Sequence, residues 1–249
     1  MEYKNKIEGD VKISSPFMKK LENFWYHYKI HTITAVIVLI TLTVLLIQTC
    51  SRVSYDAYIL YAGGYEIKHT ASGGDLAPYV KMTSALKSVC EDTDGDGAVN
   101  ISLLNLFVIN DEEASELLEK NPGQEINSAL VSEDTETLHQ SLLYGDYYVC
   151  FLSERIFLEY EERYSGALFA DVSSYLCDGA EYELCSESGV YLRSLPFYEL
   201  PEICDLPSDT VVCLRQVSEV SEAFGKAKNQ KSFERGEKII KSIFAYGQD

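Results

Sequence analysis

One stretch of the sequence has residue types and spacing that suggest a specific chemistry, an acidic loop over residues 92–100. Aspartates stand at alternate positions, Asp92, Asp94 and Asp96, and the sixth position is Gly97. In a calcium loop the side chains at positions 1, 3 and 5 supply oxygens, the glycine permits a sharp turn, and position 7 offers its backbone carbonyl. The pattern therefore predicts calcium as a cofactor, with the ligands Asp92, Asp94, Asp96, Ala98 and Asn100.

The twelfth position of this loop departs from the pattern. A calcium loop carries a bidentate acid there, whereas this chain has Leu103. The loss removes up to about two oxygens from a cation that takes roughly six to eight. Either Glu112 or Glu113 completes the shell, or the site is weak, with a dissociation constant on the order of 10⁻⁴–10⁻³ M. The alternative interpretation is an ordinary acidic turn between a helix and a strand.

Other signatures of catalysis or metal binding are missing from the sequence. It has no G-x-S-x-G, H-E-x-x-H or P-loop motif, and no C-x-x-C pair among its seven cysteines. Cys150 and Cys213 lie in apolar, strand-like runs, where a cysteine acts as a small hydrophobic residue. For an exported domain, disulfide formation is an alternative that the sequence does not decide. Cys177 and Cys185 are the one pair close in sequence. The sequence predicts a protein that is not an enzyme.

The elements around the loop predict the fold class. A helical pattern that starts near Asp75 ends at Cys90, and a strand follows the loop from about Val99 to Val108. Further strands are predicted over residues 57–62, 147–152, 189–193 and 210–215, and helices over 133–143, after Ser153 and over 232–246. Residues 110–130 are predicted to be a polar surface segment. Because strands alternate with helices, residues 55–246 are expected to form a single mixed-sheet α/β domain.

An uncharged run from Ile30 to Ile47 predicts a transmembrane helix over residues 30–49. A bilayer core about 30 Å thick needs roughly 20 apolar residues in a helix. The aromatic collar Trp25, Tyr26 and Tyr28 fits the headgroup region. The alternatives are a buried core helix, a cleaved signal peptide and a lipoprotein signal.

The distribution of charge along the chain predicts the orientation of this helix and argues against two classes of binding partner. Residues 1–29 carry a net charge of +2, whereas the whole chain carries −18. The more positive flank of a transmembrane helix stays on the cytoplasmic side of the membrane. The tail 1–29 is therefore predicted to be cytoplasmic and the C-terminal domain extracytoplasmic. The predicted protein spans the plasma membrane once. An acidic domain lacks the positive surface that nucleic acid or an anionic lipid surface requires.

Four segments carry a resemblance to known proteins: FWYHYKIHT, AYILYAGG, DTDGDGAVN and YGDYYVCFLSERIF. Together they resemble uncharacterised single-span surface proteins of anaerobic Gram-positive bacteria. Residues 55–246 also resemble a shortened type 2 solute-binding (periplasmic-binding-protein-like) domain, on the strand after Gly145-Asp146, the helix cap at Ser153 and the late segment GVYLRSLPFYE. The resemblance implies an α/β fold and binding of a solute, and it carries over no ligand residue.

From these observations we expect a membrane-anchored extracytoplasmic domain that binds or senses an unidentified ligand without catalysis. Its expected partners are the membrane and a transport permease or another surface protein. The alternatives are a structural or scaffolding surface protein that makes protein contacts alone and, less favoured, a wall-active hydrolase.

Overall fold

The computed structural model describes residues 16–50, 54–65, 67, 77–122, 125–177, 179–217 and 225–248. The chain divides into two compact units, residues 1–53 and 54–249. The predicted helix start at Asp75 and Leu76 lies outside the described residues.

Helix α1, Pro16–Cys50, is the described part of the first unit. Within its apolar stretch the hydroxyls of Thr32, Thr41 and Thr43 each donate a hydrogen bond to the backbone carbonyl four residues earlier. These polar groups are therefore satisfied inside the helix, as an apolar environment requires. Residues 23–47 are long and apolar enough to cross a membrane, and a signal sequence would meet the same criteria. The helix begins well before residue 30, so the aromatic collar is helical.

The second unit is built on a six-stranded mixed sheet, which confirms the predicted α/β class. The strands are β1 Ala57–Gly63, β2 Ile101–Phe107, β3 Val149–Ser153, β4 Leu184–Ser186, β5 Gly189–Tyr191 and β6 Thr210–Leu214. Their order is β2-β1-β3-β6-β5-β4. Strand β1 runs parallel to β2 and β3, and the other pairings are antiparallel.

Helices cover both faces of this sheet. They are α2 Ala77–Lys87, α3 Asp111–Lys120, α4 Ser128–Tyr144, α5 Glu154–Arg163 and α6 Lys226–Phe244. Short 3-10 helices occupy Ser173–Tyr175, Leu192–Ser194 and Pro196–Glu199. Helices α2 and α6 pack on one face, and α4 and α5 on the other. Because both faces are covered, the central strands are apolar along their whole length.

The position of α5 depends on a glycine in the neighbouring strand β5. A Cβ atom at Gly189 would lie 2.6 Å from the ring of Phe157, so only glycine permits this close packing. The helical spacing of Ile156, Phe157 and Tyr160 predicts that they form the inner face of α5, and their burial confirms this. Ser153 is its N-cap residue, as predicted, although its side chain makes no capping hydrogen bond.

Residues 110–130 lie at the surface as predicted, without a buried residue among those described, and they form α3 and the start of α4, which were not predicted. A capping box begins α3: Asn110 accepts from the Glu113 N–H, and the Glu113 carboxylate accepts from the Asn110 N–H. The sequence predicts Ser132 as the cap of the helix over 133–143, but α4 begins at Ser128 and its N-cap is Asn127. The short strand β4 was also not predicted.

The six cysteines of the second unit have free thiols, Cys177 and Cys185 included. Cys150 and Cys213 face each other across β3 and β6 and are fully buried. Their interpretation as small hydrophobic core residues is therefore confirmed.

Candidate functional site

The acidic loop lies beside the residue that precedes β1, because β1 and β2 are parallel neighbours. That residue is Asp56, whose exposed fraction is 2%. One carboxylate oxygen accepts from the Thr93 N–H at 2.7 Å and from the Thr93 hydroxyl at 2.8 Å. The other oxygen accepts from the Asn100 N–H at 2.8 Å. Asp56 thus holds both ends of the loop next to the start of β1.

These hydrogen bonds keep Asp56 ionised. Burial raises the pKa of its carboxyl, but hydrogen bonds from Asn100 and Thr93 outweigh burial, and the pKa lies below its ordinary value. Sequence reasoning missed this residue. The available signal was an acid directly before a buried strand that could pair in parallel with the strand after the loop.

The loop's own aspartates organise its backbone. Asp92 accepts from the Gly95 N–H at 2.6 Å and from the Gly97 N–H at 2.9 Å, and these hydrogen bonds, that from Gly97 foremost, lower the pKa of its carboxyl. Asp94 accepts from the Asp96 N–H at 3.1 Å. Both glycines have positive φ, 76° and 86°, which side chains disfavour. The sharp turns predicted from the sequence are therefore present.

The structure brings some of the predicted ligands together. Carboxylate oxygens of Asp56, Asp92 and Asp94 lie within 4.8 Å of one another, a group that could hold a metal ion. Asp96 is not in this group; its carboxylate accepts from the Ala98 N–H at 2.8 Å and from the Asn100 amide at 3.4 Å. Calcium at the loop stays a prediction, now with Asp56 beside it.

Neither glutamate suggested as the missing ligand lies near the loop. Glu112 and Glu113 follow β2, whereas the loop precedes it, and a seven-residue strand is about 20 Å long. Glu113 is also engaged by Asn110 and by Arg155, whose Nε lies 2.9 Å from its carboxylate. The suggestion that either residue completes the shell is therefore wrong.

A groove of about 290 Å³ separates this loop from α6. Its loop wall presents the carboxylates of Asp56, Glu91 and Asp92, and its helix wall presents Lys231, Arg235 and Lys238 with one carboxylate, Glu234. A narrow inner extension of about 20 Å³ shares Asp56 and Arg235 with the groove and reaches Tyr148. Charges of opposite sign therefore face each other across one small volume.

Helix α6 supplies a positive surface in an otherwise acidic chain. Its basic residues are Lys226, Lys228, Lys231, Arg235, Lys238 and Lys241, against the two acids Glu234 and Glu237. Lys231, Arg235 and Lys238 are spaced by four and three residues, so they lie on one face of the helix. That face is the one that lines the groove.

Arg235 differs from the other described arginines. Arg155 and Arg163 donate to carboxylates, Arg193 to Glu183 and Arg215 to backbone carbonyls. Half-buried Arg235 makes no ion pair or hydrogen bond with any residue that the structure describes.

The lysines around Arg235 differ in their pairing. Lys238 pairs with Glu91 at 3.6 Å, and both side chains are more than two-thirds exposed. Lys228 pairs with Asp146 at 2.8 Å. The Arg235 guanidinium is therefore available to a ligand, and one ion pair that lines the same groove, Lys238 with Glu91, is exposed to solvent.

A second depression, the α4–α5 cleft, has a volume of about 350 Å³. Arg155 binds Glu113 at 2.9 Å and the Val108 carbonyl at 3.3 Å, and Arg163 binds Glu159 at 2.7 Å. Tyr160 and His139 of this cleft lie 3.5 Å apart, measured from the hydroxyl to Nδ1. Burial raises the pKa of Tyr160 to about 12, so its hydroxyl stays protonated near neutral pH.

The chemistry that the groove offers is recognition of charge. A guanidinium and two ammonium groups face carboxylates, so donors and acceptors for both signs of charge line the same volume. No family model, no curated protein sequence and no solved structure matches this chain.

Proposed function

We propose that this protein is a membrane-anchored binding or sensing protein without catalytic activity, and that its ligand occupies the groove between the acidic loop and α6. The observation that carries the proposal is Arg235, a half-buried cation without a partner among the described residues. Removing a cation from water costs free energy unless an anion or hydrogen-bond acceptor compensates. A bound ligand would supply that compensation.

Binding is tested by a thermal-shift screen of the full-length protein in detergent against sugars, peptides and metal ions. We expect at least one ligand to raise the melting temperature of the wild type and of Arg163→Met, but not of Arg235→Met. Arg163 is the matched control because it is an arginine of the α4–α5 cleft, half exposed and paired with Glu159. A screen without any Arg235-dependent ligand contradicts the proposal.

Anchoring is the second part of the proposal. The length and composition of α1 support a membrane span, and the charge of residues 1–29 supports a cytoplasmic N-terminus. On intact cells an impermeant thiol reagent should label a cysteine at the exposed position Glu119 and miss one at Ser14. Native Cys204 is exposed, so both variants are made in a Cys204→Ser background. Labelling at residue 14 alone reverses the orientation.

The alternative of a cleaved signal sequence is tested by a separate measurement. The mature protein purified from membranes should begin at or near Met1 by N-terminal sequencing or intact mass. A mature N-terminus near Ser51 would show that α1 is removed, and the domain would then be secreted.

The proposal also includes calcium and a partner. An ion at the acidic loop would reduce the repulsion among Asp56, Asp92 and Asp94, whose carboxylates converge beside the groove. As a binding protein, the domain would act beside a transport permease or another surface protein. Co-purification with a permease after cross-linking in cells is the expected result, and a protein found alone contradicts this part.

A further inference from the structure

We infer that the groove's ligand is a small zwitterion that carries one carboxylate and one ammonium group, such as an α-amino acid or a short peptide. The inference rests on the proposed function and adds the ligand's chemical class. It is carried by the opposite charges of the two walls and by the size of the groove.

The helix wall fits a carboxylate. The guanidinium of Arg235 offers a planar fork of N–H donors, which matches the two oxygens of a carboxylate. Lys231 stands one helical turn before Arg235 on the same wall. Neither side chain makes an ion pair with a described residue, so a ligand carboxylate would not have to displace an existing protein partner there.

The loop wall fits an ammonium group, and Glu91 is its most available acid. Asp56 already accepts from Thr93 and Asn100, and Asp92 accepts from two backbone N–H groups. Among the described residues Glu91 pairs with Lys238 alone, at an exposed 3.6 Å, and this pair stabilises the fold little. A zwitterion can insert into this pair, its carboxylate toward Arg235 and Lys238 and its ammonium toward Glu91.

The charge balance of the lining disfavours a simple anion. Without calcium at the loop, three cations and four carboxylates line the groove, which leaves a net charge of −1. The carboxylates are Asp56, Glu91, Asp92 and Glu234. A phosphate or a dicarboxylate would meet like charge on the loop wall, whereas a zwitterion has no net charge to be repelled.

The volume limits the size of the ligand. At about 290 Å³ the groove lies at the lower end of the range typical of small-molecule sites, roughly 300–1,000 Å³. An amino acid or a dipeptide fits this volume, and an oligosaccharide does not.

The test compares four kinds of probe by calorimetry on the full-length protein in detergent. Alanine and alanylalanine are the zwitterions, propionate has only the carboxylate, propylamine only the ammonium, and inorganic phosphate is the simple anion. We expect a zwitterion to bind at least about 10-fold more tightly than each other probe, because loss of one charge-assisted hydrogen bond weakens binding by roughly 10- to 100-fold.

Variants complete the test. Arg235→Met and Glu91→Gln should each weaken zwitterion binding by about 10-fold or more, and Arg163→Met should leave it unchanged. Equal melting temperatures of the three variants verify folding. Binding of propionate or phosphate as tight as that of the zwitterions, or unaltered binding by Glu91→Gln, overturns the inference while Arg235-dependent binding upholds the proposed function. If neither these probes nor any ligand of the screen binds through Arg235, both fail.

Discussion

The groove beside α6 and the α4–α5 cleft are depressions of similar size on the same domain, about 290 and 350 Å³, yet their charges are arranged differently. In the cleft, Arg155 and Arg163 are bound by Glu113 and Glu159. In the groove, Arg235 has no partner among the described residues. Volume therefore does not separate the two depressions. They differ in whether a partly desolvated cation has a partner among the described residues, and the proposed function rests on that difference.

The two depressions also differ in what holds their walls. Side chains from separate elements meet in the cleft, where Arg155 of α5 links Glu113 of α3 to the Val108 carbonyl after β2. The loop wall of the groove is instead held by one buried carboxylate, Asp56, through hydrogen bonds to Thr93 and Asn100. A substitution of Asp56 should therefore disrupt the loop wall of the groove and leave the Arg235 side chain present. A substitution of Arg155 should disrupt the walls of the cleft.

The largest expected effect is the loss of the groove wall in Asp56→Ala. This change leaves the N–H groups of Thr93 and Asn100 without their acceptor, and we expect the free energy of unfolding to fall by about 2–4 kcal/mol. Asp94→Ala is the control, since Asp94 is exposed and its loss should cost no more than about 0.5 kcal/mol. Urea unfolding of the full-length protein in detergent measures both. Equal stabilities would mean that Asp56 does not hold the wall.

The same carboxylate should make the domain sensitive to acid. The folded-state pKa of Asp56 is lowered, so its stabilisation is present above the unfolded pKa, about 3.9, and is lost as the pH falls through the folded pKa. As the pH falls from about 4 to about 2, the melting temperature of the wild type should fall more steeply than that of Asp56→Asn. If the melting temperatures of the two proteins fall equally with pH, protonation of Asp56 is not the cause of the acid sensitivity.

A smaller effect on the free energy of unfolding is expected to distinguish Arg155 of the cleft from Arg235 of the groove. Arg155→Met breaks two hydrogen bonds of a partly buried guanidinium and should lower the free energy of unfolding by about 1.5–3 kcal/mol. Arg235→Met breaks none within the described structure and should change it by less than about 0.5 kcal/mol. If Arg235→Met is as destabilising as Arg155→Met, the groove is a structural network like the cleft.

Local patterns let the sequence predict much of the fold. The runs at β1, β3 and β6 are continuously apolar because these strands are central in the sheet, and the inner face of α5 repeats at helical spacing. The polarity of residues 110–130 predicts their surface position correctly. The helix α3 within them had a local signal as well, the capping box of Asn110 and Glu113.

The candidate site was only partly predictable because its decisive contacts are distant in sequence. The spacing of Asp92 and Asp94 identified the loop, but Asp56 meets Asn100 from 44 positions away, through the parallel pairing of β1 and β2. Arg235 stands in a helix whose lysines and glutamates suggest a solvated surface. Whether such a residue has a partner depends on what the fold places opposite it.

The smallest expected effect is the stabilisation by calcium bound at the loop wall of the groove. The described residues of the cleft offer no counterpart to this site. For a site with a dissociation constant on the order of 10⁻³ M, 2 mM calcium adds about 0.6 kcal/mol, a rise in melting temperature of about 1–3 °C. Asp94→Ala should abolish the rise, because Asp94 belongs both to the predicted ligands and to the carboxylate group around Asp56. Asp96→Ala separates the two ligand sets: it should abolish the rise if the ion is held by the five ligands predicted from spacing, and keep it if Asp56, Asp92 and Asp94 hold the ion. An unchanged melting temperature of the wild type in calcium would mean that the loop is a turn built by its own carboxylates.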